Sequence, residues 1–282
     1  MRISIIGLGL IGGSMAIDLK KNGFATHIIG VDNNKLHAQT ALQIGIIDEI
    51  LEMDEAIKNC ELIILAIPAD ATIRLLPKIL DKVNKQIVTD VCSVKGLICE
   101  RVKYHNKRMN YVASHPMAGT ENSGPWAALS GLFDGKAVII CDAEDSADHS
   151  IHLIKDMYAA LHMRHIYMNS YNHDTHAAYV SHISHISSFA LSLTVLDKEN
   201  NERNIFNLAS GGFGSSVRLA KSSAEMWTPI FSNNSENVIA VLNAYILQLL
   251  EFKTAIENKD KEQLNHLITN ANKIKKVLSN HS

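Results

Sequence analysis

The chain has 282 residues, 46% of them apolar and 20% charged, with a net charge of −2 and a pI near 6.7. That balance predicts a packed core and excludes a disordered chain, and it offers no basic surface for nucleic acid or an anionic membrane. Cys60, Cys92, Cys99 and Cys141 form no CxxC pair, so free thiols in a reducing compartment are expected rather than a disulfide framework. Met1 and Arg2 lead straight into a strand-like run with no apolar leader. The longest apolar stretch, 238–252, is broken by Asn243, Gln248 and Glu251 and reads as too short for a bilayer. A cytoplasmic protein is the expectation, with no membrane and no nucleic acid as partner.

In chain order, strands are expected over 2–6, 27–31, 62–66, 86–89, 111–113 and 137–140. These runs carry Ile and Val on both faces, as strands covered by helices on both sides do. Helices expected over 10–22, 35–44, 72–82, 95–104 and 147–161 alternate with them, which predicts a doubly wound α/β sheet. Beyond 169 the strand signals stop. Helical patterns follow over 169–196, 227–252 and 261–278. In the second of these, Val238, Val241, Leu242, Tyr245, Leu249 and Phe252 recur at three- and four-residue spacing, and Ile239, Ile246 and Leu250 widen the stripe. A helix so apolar in a small domain predicts that a second copy of the chain covers it.

Gly7-Leu8-Gly9-Leu10-Ile11-Gly12 matches G-x-G-x-x-G between a strand and an apolar helix. Gly7 suits a tight turn, Gly9 a close approach to pyrophosphate, and Gly12 close packing of helix on sheet. The helix start at Leu10 and Ile11 then turns free N–H groups toward phosphate. Asp32, 25 residues after Gly7, is expected to bond the adenosine ribose hydroxyls and to repel a 2′-phosphate, so NAD is favoured over NADP. Its other reading is a cap for the helix near Asn34. Pro68 ends the third expected strand region and borders the nicotinamide side, or serves only as a turn residue. The fold class is therefore α/β: an N-terminal Rossmann-like doubly wound sheet over 1–168, followed by an all-helical C-terminal dimerisation domain over 169–282.

Three further segments stand out. They are Asp90-Val91-Cys92-Ser93-Val94-Lys95, the run from His115 to Glu121 (HPMAGTE), and the set His182, His185, Gly211, Gly212, Arg218 and Trp227. Four histidines, His173, His176, His182 and His185, fall on one expected helix. At 100° per residue the first pair points away from the second, so no single metal ion is expected to gather them and no metal is assigned.

In order and spacing, these segments and the glycine turn resemble the prephenate dehydrogenase family, which includes arogenate dehydrogenases. The HPMAGTE run is the most specific part, and the resemblance spans nearly the whole chain. It implies NAD-dependent oxidative decarboxylation of prephenate to 4-hydroxyphenylpyruvate in tyrosine biosynthesis, or the same chemistry on arogenate to give tyrosine. His115 would accept the C4 hydroxyl proton, a task suited to a neutral imidazole. Ser93 would orient His115 or bond the substrate hydroxyl; alternatively it caps the helix at 95. Arg218 would clamp a carboxylate, or form only a surface ion pair. Glu121 would pair with Arg218 and gate the entrance. Gly211 would allow close approach of substrate, and His185 would aid recognition of a carboxylate or the ring. Trp227 fits either the site or the core. His173 and Asp174 would face elsewhere, toward a partner subunit's site. A 3-hydroxyacid dehydrogenase-like oxidoreductase would place a catalytic lysine in the helical domain. A non-enzymatic NAD sensor would tolerate loss of His115, Ser93 or Arg218.

Overall fold

The computed structural model describes residues 1–201 and 205–279. Met1–Ser235 form one compact unit and Glu236–Ser282 a second.

The first unit is built on eight strands: β1 (Arg2–Ile6), β2 (His27–Val31), β3 (Glu49–Ile50), β4 (Leu62–Leu65), β5 (Ile87–Asp90), β6 (Tyr111–Pro116), β7 (Ala137–Cys141) and β8 (Arg164–Met168). Their order in the sheet is β3-β2-β1-β4-β5-β6-β7-β8. The first six run parallel in the order of a dinucleotide-binding sheet. β7 turns back antiparallel to β6, and β8 runs parallel to β7, so the sheet is mixed rather than wholly parallel. Every residue of β4, β5 and β6 is buried, and β4 (LIIL) is apolar throughout as a strand covered on both faces should be.

Three expected strands differ by a single residue (β4 ends one earlier, β5 is shifted by one and β7 ends one later), and two observed strands have no sequence signal. β3 is only two residues long, and β8 (RHIYM) is a half-exposed edge strand that takes its pairing from β7. β6 runs three residues past the expected end. Ser114, His115 and Pro116 look like a strand terminus, yet pairing with Ile140, Ile139 and Val138 carries the strand through them. His115 is therefore held in the strand instead of following it.

Helices α1 (Leu10–Lys21), α2 (Lys35–Gln43), α3 (Met53–Lys58), α4 (Ala69–Lys82), α5 (Gly96–Val102) and α6 (Asp148–Ala160) fill the crossovers. One face of the sheet packs on Met15, Leu19, Ile154, Met157 and Tyr158. The other packs on Ile57, Leu76, Ile79, Leu80, Ile98 and Val102.

The helix expected over 169–196 runs without a gap from Ser170 to Asn201 but carries a π turn within it. It consists of α7 (Ser170–Ala177), a π-helical turn (Ala178–His182) and α8 (Ile183–Asn201). Next comes α9 (Gly211–Val217), unexpected in so glycine-rich a stretch, and a 3-10 turn over Arg218–Lys221. The helix expected over 227–252 is two: α10 (Ala224–Asn233) and α11 (Ser235–Glu257), with Asn234 non-helical between them. The helix expected over 261–278 is α12 (Lys261–Ala271) and α13 (Ile274–Ser279).

In α11 only Val238, Val241 and Ala255 are buried. Ile239, Ile246, Leu247, Leu249 and Leu250 are each 43–60% exposed, so the predicted stripe stands largely open in one chain. At 23 residues, α11 is also long and apolar enough to cross a bilayer by length and composition alone, which corrects the shorter estimate from 238–252.

Candidate active site

The glycine turn lies at the carboxyl edge of β1. Gly7 has φ +99°, and a Cβ there would stand 2.3 Å from the Ala66 carbonyl oxygen. A Cβ on Gly12 would stand 2.0 Å from the Gly7 carbonyl oxygen. Both positions therefore exclude any side chain. Gly9 differs, because a Cβ there meets nothing within 4 Å. The space over Gly9 is open to a ligand, and α1 begins beside it with no side-chain cap. The first-turn N–H groups of Leu10, Ile11 and Gly12 are thus available to an anion.

Asp32 directly follows β2. Its Oδ2 accepts from the Leu8 N–H and its Oδ1 from the Asn34 N–H, both at 2.8 Å. It braces the glycine turn and keeps lone-pair sites for ribose hydroxyls. Asn34, not Asp32, caps α2, accepting from the N–H groups of Leu36 and His37. Pro68 occupies the exposed N-cap position of α4, just beyond β4. An open glycine, an uncapped helix start and an acidic residue at this edge fit NAD.

Beyond β5 and β6 the structure gathers a buried polar cluster. His115 Nδ1 lies 2.8 Å from His173 Nε2, and His173 Nδ1 lies 2.8 Å from Asp174 Oδ1. Asp174 also accepts from the Lys95 N–H at 2.7 Å and the Gly96 N–H at 2.8 Å. The Lys95 ammonium is fully buried and pairs with Asp90, which accepts a 2.6 Å bond from the Tyr111 hydroxyl. Burial alone would lower the Lys95 ammonium, but the Asp90 carboxylate overrides it and holds the group above its ordinary value.

His173 and Asp174 thus turn inward to His115 of the same chain. The reason is the π turn. Nine α-helical residues would set His173 and His182 about 180° apart. A π turn accommodates one extra residue and rotates the downstream chain by about 100°. Both rings are buried as a result. The break after α10 serves the same cluster: Asn234 Nδ2 donates to the Asp174 carbonyl at 2.8 Å and reaches His182 Nδ1 at 3.2 Å. Sequence reading missed Asn234 and the inward turn of His173 and Asp174 because a regular helical period conceals them.

Burial lowers the pKa of each of these imidazoles. His115 is pushed well below its ordinary value by burial, with His173, Lys95 and His182 adding to the effect. His173 is lowered by burial against the pull of Asp174, and His182 is pushed by burial down to about 4.

At the mouth of the cleft, Arg218 Nη1 donates to Glu121 Oε2 at 2.8 Å, and the Arg218 side chain is half exposed. The Glu121 carboxyl is lowered by its own backbone N–H and by Arg218. His185 stacks on buried Trp227 with ring centres 3.5 Å apart, and burial lowers its imidazole. His182 meets the same indole edge-on at 5.9 Å. Trp227 Nε1 is buried and closes no hydrogen bond among the described residues, whereas the His182 imidazole is drawn to the Ser93 backbone. Ser93 is half-buried on the β5–α5 loop. It is not the cap of α5, which starts at Gly96 after Lys95. Gly211 opens α9, and neither it nor Gly212 has an atom within 4 Å of a built Cβ, so neither is pressed against protein. Among the described residues no group of three or more His, Cys, Asp or Glu side chains is placed to hold a metal.

A dinucleotide-binding sheet, an open glycine turn and a buried histidine at the same sheet edge define an NAD-dependent dehydrogenase. Residues 15–167 match the family model described as prephenate dehydrogenase, nucleotide-binding domain, and residues 169–270 match its dimerization domain. The prephenate dehydrogenase of Lactococcus lactis subsp. cremoris is 29% identical, over 99% of this chain and 78% of that protein. The crystal structure of prephenate dehydrogenase from A. aeolicus, in complex with hydroxyphenyl propionate and NAD+, is 30% identical with a TM-score of 0.86, over 98% of this chain and 97% of that one. Synechocystis arogenate dehydrogenase is 25% identical with a TM-score of 0.77, over 99% of this chain and all of that one. The chain belongs to the prephenate dehydrogenase family.

Proposed function

We propose that the protein catalyses the NAD-dependent oxidative decarboxylation of prephenate to 4-hydroxyphenylpyruvate, with His115 as the proton acceptor. The observation that carries this reading is a buried imidazole fixed at the end of β6, on the edge where the glycine turn opens, in surroundings that disfavour its protonated form. NAD, when bound, supplies the acceptor for the hydride at C4 of the ring. His115 takes the C4 hydroxyl proton. The bond from C1 to its carboxylate breaks, CO2 leaves, and the electron pair completes the aromatic ring as the C4 oxygen takes its proton back from His115, giving the phenol and a neutral imidazole. Leu10, Ile11 and Gly12 offer N–H groups to the pyrophosphate, Asp32 holds the ribose, and Pro68 borders the nicotinamide.

Arg218 binds a substrate carboxylate through its two-pronged guanidinium. In this structure Glu121 occupies that guanidinium, so an arriving carboxylate exchanges with it and Glu121 acts as a gate. Trp227 Nε1 is a buried donor that an incoming acceptor would satisfy. Ser93 bonds the reacting hydroxyl, His185 recognises the ring or a carboxylate, and Gly211 leaves its backbone open to the substrate.

Following NADH formation with prephenate and with arogenate side by side tests the assignment. Turnover of prephenate is expected. Turnover of arogenate alone would move the reading to arogenate dehydrogenase, and turnover of neither would overturn it. In the same assay Arg218→Ala is expected to raise KM for prephenate by about 10- to 100-fold, the loss of a charge-assisted bidentate contact, and KM for NAD by less than about twofold. Equal effects on both would remove Arg218 from the substrate site.

The protein is further read as a homodimer of the cytoplasm, joined through its C-terminal helices. The open apolar side chains of α11 and the description of the matched C-terminal segment support the dimer. Four buried, unpaired cysteines suit a reducing compartment. Light scattering is expected to give twice the 31.1 kDa of one chain, and a monomer would refute the dimer.

A further inference from the structure

We infer that His173 is a positioning residue that fixes which nitrogen of His115 carries the proton, and that Asp174 in turn fixes His173. The inference rests on the reading of His115 as the proton acceptor and extends it to how that acceptor is prepared.

Backbone N–H groups can only donate. Those of Lys95 and Gly96 donate to Oδ1 and Oδ2 of Asp174, so both carboxylate oxygens serve as acceptors. His173 Nδ1, 2.8 Å from Oδ1, must therefore hold a hydrogen. A neutral imidazole has one N–H, so His173 Nε2 is a bare lone pair. His115 Nδ1, 2.8 Å from that lone pair, must then donate to it. The hydrogen of His115 is thereby held on Nδ1, and Nε2 is left free to accept a proton. Were the chain polarised in the opposite sense, Nε2 would carry a hydrogen and could accept nothing.

The surroundings keep the one-hydrogen rule valid for both rings. The charged and titratable groups facing them are Lys95 and Asp90 from the β5–α5 segment, Asp174 from α7, and His182 from the π turn. His115 and His173 are both buried, and each lies under the influence of the Lys95 ammonium, which opposes a second proton. When His115 takes the hydroxyl proton on Nε2, its Nδ1–H stays donated to His173. The new positive charge then faces a hydrogen-bonded chain that ends on a carboxylate. No proton needs to travel along the chain.

His115 comes from β6 and His173 and Asp174 from α7, while the N–H groups that hold Asp174 come from the start of α5. Asn234, between α10 and α11, holds the Asp174 carbonyl as well. Such a clamp fixes ring orientation as well as the tautomer.

The test compares His173→Leu, which removes the acceptor, with His173→Gln, whose side-chain oxygen can still accept from His115 Nδ1. Ring nitrogens of the full chain are read by 15N NMR near neutral pH. In the unmodified protein His115 is expected as the Nδ1–H tautomer, and in His173→Leu as a mixture containing Nε2–H. His173→Leu is expected to lower kcat by about 100-fold, with KM for NAD and prephenate changed less than about twofold, as for a histidine base in the wrong tautomer. His173→Gln is expected to recover most of that loss. An Nε2–H tautomer in the unmodified protein would overturn the inference, as would a His173→Leu variant of unchanged kcat or a loss confined to KM. Should His173→Leu not fold, the tautomer of the unmodified protein and the His173→Gln rate still decide. Failure of the proton-acceptor reading shows separately, as turnover surviving in His115→Asn, while the tautomer measurement stands independently of activity.

Discussion

His115→Asn is expected to lower kcat by about 10²–10⁴-fold while leaving NAD affinity within about twofold, because it deletes a general base and little else. Asparagine keeps a donor near the place of Nδ1, so the bond to His173 can persist and β6 keeps its pairing with β7. It has nothing at the place of Nε2. NAD is expected to bind at the glycine turn on β1, a different strand, so its affinity is insulated from the change. The pH profile adds a second reading. In the unmodified protein, burial, His173, Lys95 and His182 depress the His115 imidazole below its ordinary value of 6.5. A base of depressed pKa stays competent as pH falls below 6.5 and fails only further down. The acid limb of kcat/KM should therefore lie below pH 6.5 and vanish from the residual activity of the variant. An NADH-formation assay across pH, with an NAD titration alongside, checks both. A variant of near-normal kcat would remove His115 from the chemistry.

Gly12→Ala is expected to raise KM for NAD by about 10- to 100-fold and to cost about 1–3 kcal/mol of stability. The new methyl would stand 2.0 Å from the Gly7 carbonyl oxygen, 3.0 Å from Ile5 Cγ2 and 3.1 Å from Ala66 Cβ. The nearest neighbour is backbone, which cannot rotate away as a side chain would. α1 must slide off β1, and the N–H groups at its start move with it. Gly9→Ala is the control. Its methyl meets no protein atom, so stability should hold while NAD binding falls. Thermal unfolding and NAD titration of the two variants separate the glycine that the fold requires from the glycine that the ligand requires. Equal behaviour would show that the open space over Gly9 is not the cofactor's.

Much of the cofactor half was legible in the sequence because its signals are local. A β-rich run, a glycine hexamer and an apolar helix lie within about twenty residues, and Asp32 follows at the next strand end. Steric need at Gly7 and Gly12 dictates those residue types whatever surrounds them. HPMAGTE likewise carried its own message. The catalytic neighbourhood of His115 was not legible. A helical wheel at 100° per residue set His173 against His182, and the π turn over Ala178–His182 reversed that by absorbing one residue. Nothing in AYVSH announces such a turn. Its neighbourhood is held by bonds from Lys95, Gly96 and Asn234 that span 60 to 79 residues. The strand ending at Pro116 was similar: its last three residues look like a turn, and only β7 makes them a strand.

By itself, then, the sequence determined the α/β start, the NAD turn and the family, through short-range sterics and a specific motif. The tertiary structure decided the direction of β7 and β8, the break at Asn234 and the inward face of α7. Those choices depend on hydrogen bonds between distant segments, whose gain outweighs the regular period that each segment would otherwise follow.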